Sequence, residues 1–140
     1  MKTKIICSLF ILLFLTGCRK EPQYELYENH NISTCGMSDP LLNLSWLKTY
    51  CTEHSKSYST TISIYKNKTS DVNHIVIDTS TKDEPDRSPS TIQTTSIYSC
   101  EGEKILFQGS EGATPEGWSV FFAENTLVAK IWEVKEIIEQ

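Results

Sequence analysis

Five cysteines have the widest chemistry in this 140-residue chain, because a thiol can form a disulfide, bind a metal, attack a substrate or carry a covalent group. They lie at positions 7, 18, 35, 51 and 100, and no two form the C-x-x-C pair of many zinc sites. The chain also lacks G-x-S-x-G and H-E-x-x-H motifs and a glycine-rich phosphate loop after a strand. We therefore predict no catalytic residue, no metal site and no cofactor.

The N-terminal segment has the organisation of an export signal. Lys2 and Lys4 supply positive charge, and an apolar stretch follows from Ile5 to Leu15. This stretch has the length of the hydrophobic region of a secretory signal and about half the length of a membrane-spanning helix. The sequence predicts a signal peptide over residues 1–17, with cleavage between Gly17 and Cys18.

The end of this segment resembles the lipobox of bacterial lipoproteins, with Leu15, Thr16 and Gly17 directly before Cys18. The resemblance implies that the Cys18 thiol is joined to diacylglycerol, that a dedicated peptidase cuts before it, and that the new amine is acylated. Two or more such chains anchor a protein stably. The alternative is an ordinary signal peptide followed by a chance cysteine, but the A-x-A-like site of such signals is missing.

The lipoprotein resemblance also implies a place in the cell. Arg19 follows the lipidated position, whereas Asp there retains such proteins in the inner membrane, so we expect an outer-membrane anchor with its face undetermined. Cleavage would remove two lysines and no acid, which changes the formal net charge from -5 to -7. This acidic balance and the lack of a Lys/Arg cluster argue against nucleic acid. The expected partners are the membrane, through the acyl chains on Cys18, and a protein or glycan.

Three cysteines stay in the mature chain, so at most one internal disulfide can form in an oxidising compartment. A predicted helix between Cys35 and Cys51 is roughly 18 Å long, whereas bridged Cα atoms lie about 5.5 Å apart. This disfavours the Cys35–Cys51 pair. We favour Cys35–Cys100 with Cys51 as a buried free thiol, and Cys51–Cys100 or three reduced thiols are the alternatives.

One helix and several strands must position these residues. Pro40 suits a first helical turn capped by Ser38 or Asp39, and the apolar residues Leu41, Leu44, Leu47 and Cys51 follow at helical spacing. Five runs predict strands because they alternate or are rich in Ile, Val, Thr and Tyr: 58–65, 72–79, 91–99, 104–108 and 126–134.

These elements predict an α+β fold, with one N-terminal amphipathic helix packed on an antiparallel sheet of about four to five strands. Residues 18–34 are polar and predict a flexible linker after the lipidated cysteine, in which His30 is solvated. Residues 35–140 form the single domain.

Three segments, CGMSDPLLNLSWLKTY, YSCEG and AKIWEV, are similar to those of a family of small bacterial lipoproteins without an assigned activity. That family has a CG-x-x-[DN]-P-L-x-x-L-x-W-L start, a Y-x-C-x-G hairpin and a final [VL]-x-I-W strand. The resemblance implies the same element order and implies that Cys35 and Cys100 belong together. The segment YSCEGEKILF is also similar to the hairpin of lysozyme-inhibitor lipoproteins.

Other candidate residues favour structural roles. His74 and Asp78 share one strand face but lie roughly 13 Å apart, too far for a shared metal. His54 suits the C-terminal end of the helix. The acidic residues Asp83, Glu84 and Asp86 could attract calcium, but they lack the spacing of a calcium-binding loop, so we interpret them as a solvated loop. Three tryptophans could line a sugar-binding surface, but we interpret them as core residues: Trp46, Trp118 and Trp132.

We therefore expect a lipid-anchored envelope protein that acts by binding rather than by catalysis. An inhibitor of an envelope-attacking hydrolase such as lysozyme is the first alternative. A small hydrolase or metal-dependent enzyme is the second.

Overall fold

The computed structural model describes residues 22–56, 59–82, 91–108 and 116–137. The predicted lipidation and cleavage positions, Cys18 and Gly17, lie outside the described residues, as does the acidic loop 83–86. The described part folds around a six-stranded antiparallel sheet with the strand order β1-β8-β4-β5-β6-β7. Its strands are β1 (Gln23–Glu28), β4 (Ser59–Asn67), β5 (Asn73–Lys82), β6 (Thr91–Tyr98), β7 (Lys104–Gln108) and β8 (Asn125–Ile137).

Two short strands and three helices complete the described chain. They are β2 (Ser33–Thr34), β3 (Met37–Ser38), α1 (Pro40–Asn43), α2 (Ser45–His54) and α3 (Glu116–Glu124). The α+β class with an antiparallel sheet is therefore confirmed, and each of the five predicted strands is present within a few residues of its predicted bounds.

A single N-terminal helix is not supported. The described chain begins with a strand, and the predicted helix is divided into α1 and α2 at Leu44, which has an extended backbone (φ -86°, ψ 102°). The Asn43 side-chain amide donates a hydrogen bond to the Ser38 carbonyl at 2.6 Å, so the last residue of α1 is bonded to the chain that precedes this helix. The apolar stripe survives the break, because Leu41, Leu44 and Leu47 all stay buried.

The predicted flexible linker, residues 18–34, contains strand β1. This strand pairs with β8 along its whole length, from Gln23 opposite Ile137 to Glu28 opposite Trp132. Only Tyr24 of β1 packs against the core, and the other five side chains are exposed. Backbone pairing with β8 thus orders a segment whose side chains have little apolar surface to bury.

The sheet has a core on each face. On the first face, α1 and α2 place their leucines on side chains of the central strands: Ile62, Ile64, Ile75, Ile77, Trp132 and Val134. On the second face, α3 places Trp118 and Phe121 on Val76 and Ile97. This second core, which we call the α3 core, covers only part of the second face. The rest of that face carries polar side chains.

Candidate functional site

The polar part of the second sheet face forms a groove across four strands. Alternation along each strand places Thr61 of β4 opposite Asp78 of β5, and Asp78 opposite Thr95 of β6. One pleat further, Ser59, Ser80 and Gln93 form a parallel row in the same register. Strand β8 adds Glu133 next to Thr61. The groove has a volume of about 500 Å³.

Glu133 binds two lysines at the wall of this groove. Its carboxylate accepts from Lys130 Nζ at 2.7 Å and lies 3.3 Å from Lys135 Nζ, while the Thr61 hydroxyl donates to it at 3.4 Å. Partial burial raises the pKa of the Glu133 carboxyl, but the hydrogen bonds and charges of the two lysines outweigh burial and hold that pKa below its usual value. Glu133 is therefore ionised and neutralised at pH 7.

Asp78 lies at the centre of the groove in a different electrostatic setting. The Thr95 hydroxyl donates to its carboxylate at 2.6 Å. Lys130 and Lys135 pair with Glu133 rather than with Asp78. The groove thus presents the Asp78 carboxylate among hydroxyl and amide groups, an arrangement suited to a ligand with several hydrogen-bond donors.

The cysteine pair that the spacing favours is present. Cys35 and Cys100 form a disulfide with their Cα atoms 5.5 Å apart. It joins the β2–β3 turn to the start of the β6–β7 turn, and the Trp46 indole N–H donates to the Cys100 carbonyl at 2.9 Å. The β2–β3 turn is therefore held to the β6–β7 hairpin by a covalent bond, and α2 is held to it by a hydrogen bond.

Cys51 is the free thiol, and it lines a second, smaller groove of about 320 Å³ between β1 and α2. Burial, with a smaller contribution from the negative charge of Glu28, raises the pKa of the Cys51 thiol to about 12. The thiol is therefore protonated at neutral pH, whereas the nucleophile in cysteine chemistry is the thiolate. This opposes the hypothesis of a hydrolase that uses Cys51.

His30 lies at the rim of the second groove, exposed to solvent as predicted, and it also contacts two carboxylates. Its Nδ1 lies 3.0 Å from Asp39 Oδ2, and its Nε2 lies 3.4 Å from Glu28 Oε2. The hydrogen bond with Asp39 is the largest effect on the pKa of His30, which is raised despite the opposing effect of desolvation, and Glu28 adds to the rise. His30 thus links the end of β1 to the residue before α1.

The structure separates the other candidate residues. His74 contacts the Phe121 ring edge-on at 5.3 Å, in the α3 core, whereas Asp78 lies in the polar groove. His54 ends α2, where its Nδ1 lies 2.8 Å from the Tyr50 carbonyl oxygen, as its predicted place at the helix end requires. Trp118 and Trp132 are buried core residues, and Trp46 packs against the first core.

The described residues contain no group of three or more His, Cys, Asp or Glu side chains arranged to hold a metal ion. Among their helices, none is long and apolar enough to cross a membrane. Comparison with protein-family models, with the curated proteins and with the solved structures gives no match.

The groove is not predicted from the sequence, although a partial signal for it is present in the three central strands. Polar residues occupy the second face of the three central strands at Thr61, Asp78 and Thr95. What one strand cannot indicate is that these positions line up across the sheet. The contribution of Glu133 depends on β8, which follows β4 by 57 residues in the chain and pairs directly with it.

Proposed function

We propose that this protein is a lipid-anchored protein of the cell envelope, held at the outer membrane through Cys18, and that it acts by binding a polar ligand in the groove on the second sheet face. The observation that carries the binding function is the row of Thr61, Asp78 and Thr95 across three neighbouring strands. Groups fixed on a sheet are already ordered, so little conformational entropy is lost when a ligand binds to them.

The disulfide supports export to the envelope. Disulfides persist in oxidising compartments such as the periplasm and are rare in the reducing cytosol. The Cys35–Cys100 bond is therefore consistent with the signal segment and lipobox at the N-terminus. The lipid on Cys18 is inferred from that sequence resemblance.

Metabolic labelling tests the anchor. Cells that express the protein are grown with radiolabelled palmitate, and the product is compared with the Cys18→Ala and Cys51→Ala variants. We expect label in the wild type and in Cys51→Ala, and none in Cys18→Ala. Cys51→Ala is the matched control, because it removes a thiol from the folded domain and leaves the lipobox intact. Equal labelling of all three proteins, or label in none, contradicts the proposal.

A second candidate function is inhibition of an envelope-attacking hydrolase by the β6–β7 hairpin. The observation that favours it is a fixed acidic turn: Glu101 and Glu103 are exposed, and the Ser99 hydroxyl oxygen accepts hydrogen bonds from both backbone N–H groups. A rigid acidic turn suits a basic enzyme cleft, because little entropy is lost on binding. Lysozyme activity measured with micromolar protein tests it, and unchanged activity removes this candidate.

A further inference from the structure

The groove lies at the end of the sheet where β1 begins. Strand β1 begins at Gln23, five residues after Cys18, and Gln23 pairs with Ile137 at the end of β8. The wall of the groove, Glu133 to Glu136, comes directly before Ile137 on β8. The groove therefore opens within a few residues of the point where the chain leaves the sheet toward Cys18.

The connection between Cys18 and the sheet is short compared with the sheet. Five residues span at most about 17 Å, whereas the 13 residues of β8 extend over roughly 40 Å. If Cys18 carries lipid, Gln23 must stay within about 17 Å of the bilayer surface. The opposite end of the sheet, where the β4–β5 turn lies, cannot be the end that contacts the bilayer. Gln23 would then lie farther from the bilayer surface than the connection to Cys18 can reach.

From this placement, which rests on the proposed anchor, we infer that the groove takes its ligand from the headgroup layer of the membrane and that the ligand is the sugar headgroup of a glycolipid. The hydroxyls of Thr61 and Thr95 and the carboxylate of Asp78 match the donors and acceptors of a sugar ring. A phosphate headgroup fits less well, because the Asp78 carboxylate repels an anion and the two lysines Lys130 and Lys135 are bound to Glu133.

Orientation is tested with the full lipidated protein in vesicles. In a Cys51→Ala background, a donor dye is attached to Gln93→Cys, at the groove, or to Ser70→Cys, in the β4–β5 turn, and acceptor dyes are placed on lipid headgroups. The two positions lie more than about 20 Å apart along the strands, so we expect roughly twofold greater energy transfer from position 93. Equal transfer, or greater transfer from position 70, overturns the inference.

Ligand class is tested with the full lipidated protein in the Cys51→Ala background, with the dye attached to Ile137→Cys, an exposed position at the end of β8 beside the groove and outside its lining. Vesicles of phosphatidylcholine receive glucosyl diacylglycerol, phosphatidylethanolamine or no addition, and a further arm adds free methyl glucoside. We expect a saturable change in dye emission with the glycolipid. The Asp78→Asn variant should need roughly tenfold more glycolipid, because a hydrogen bond to a charged group is lost. The Asp71→Asn variant, in the exposed β4–β5 turn, is the matched control and should respond as the parent does.

The other outcomes each contradict a defined part of the inference. A response to phosphatidylethanolamine alone overturns the sugar assignment, and an equal response to free methyl glucoside overturns the membrane source. No response in any arm overturns the ligand class. Failure of palmitate to label Cys18 defeats the proposed function itself, whereas labelled protein without an orientation difference defeats only this inference.

Discussion

Cys51 shows how the surroundings of one residue decide its chemistry. The thiol lines an open groove, yet burial raises its pKa to about 12. At about pH 8 we expect the native thiol to react with iodoacetamide at least about a hundredfold more slowly than in the unfolded chain, because the thiolate is the reactive form. Mass spectrometry of timed samples, with and without denaturant, measures both rates. Similar rates would mean that Cys51 is an activated thiol.

The His30 contacts predict a pH dependence with a defined sign. The pKa of His30 is higher in the folded protein than in the unfolded chain, chiefly through Asp39. Its stabilising effect is therefore complete below its ordinary pKa of about 6.5 and is lost as the pH rises through the folded value. Urea unfolding should show a larger stability difference between the wild type and His30→Gln at about pH 5.5 than at about pH 9.

The Asp39→Asn variant is the check on this prediction. It removes the main partner of His30 and should reduce the difference between the two pH values. If the His30→Gln effect is the same at both, the ion pair does not contribute to folding in solution.

At the scale of elements, the β6–β7 turn depends on close packing against α2. Gly102 has φ +87°, and a Cβ built there lies 2.8 Å from Trp46 Cγ. Gly102→Ala should lower the free energy of unfolding by about 2–3 kcal/mol, through backbone strain and the clash with the indole. Gly36 also has a positive φ but has no atom within 4 Å of its Cβ position. Gly36→Ala should therefore cost only about 1 kcal/mol.

Urea unfolding of both variants measures this difference. Equal losses would show that Trp46 moves aside without cost and that the turn is not fixed by α2.

The elements differ in how far the sequence could predict them. The five predicted strands, β4 to β8, follow from local runs that alternate or are rich in Ile, Val, Thr and Tyr. Strand β1 could not be predicted in this way, since five of its six side chains are exposed and its order comes from pairing with β8, more than 100 residues away in the chain. Helix α3 is likewise defined by tertiary contacts, through Trp118 and Phe121 on the second face.

The candidate site could likewise be predicted from the sequence only in part. Length and spacing disfavour the Cys35–Cys51 pair, because a helix cannot bring its two ends together, but they leave Cys51–Cys100 open, and only the fold shows the Cys35–Cys100 bond. The groove needs the register of four strands, which no single segment contains. The contacts of the exposed His30 could not be predicted, because its partner Asp39 lies beyond the β2–β3 hairpin and only the fold brings the two together.

At the scale of the whole molecule, the disulfide closes a loop of 65 residues. Replacing both Cys35 and Cys100 by Ala should lower the free energy of unfolding by about 4 kcal/mol, because the unfolded chain gains the entropy that the bond removes. Cys51→Ala is the control and should change stability by about 1 kcal/mol or less. A loss below about 1 kcal/mol in the double variant would mean that the bond adds little to the hydrophobic core.

The central claim is that Cys18 carries lipid and holds a binding domain close to the envelope membrane. Mass spectrometry of the protein purified from membranes, on the intact chain and on its N-terminal peptide, tests this claim most directly. We predict a mature chain that begins at Cys18, with a thioether-linked diacylglyceryl group and an acylated amine. A mature chain that begins at another residue, or a Cys18 with a free thiol, would contradict the account.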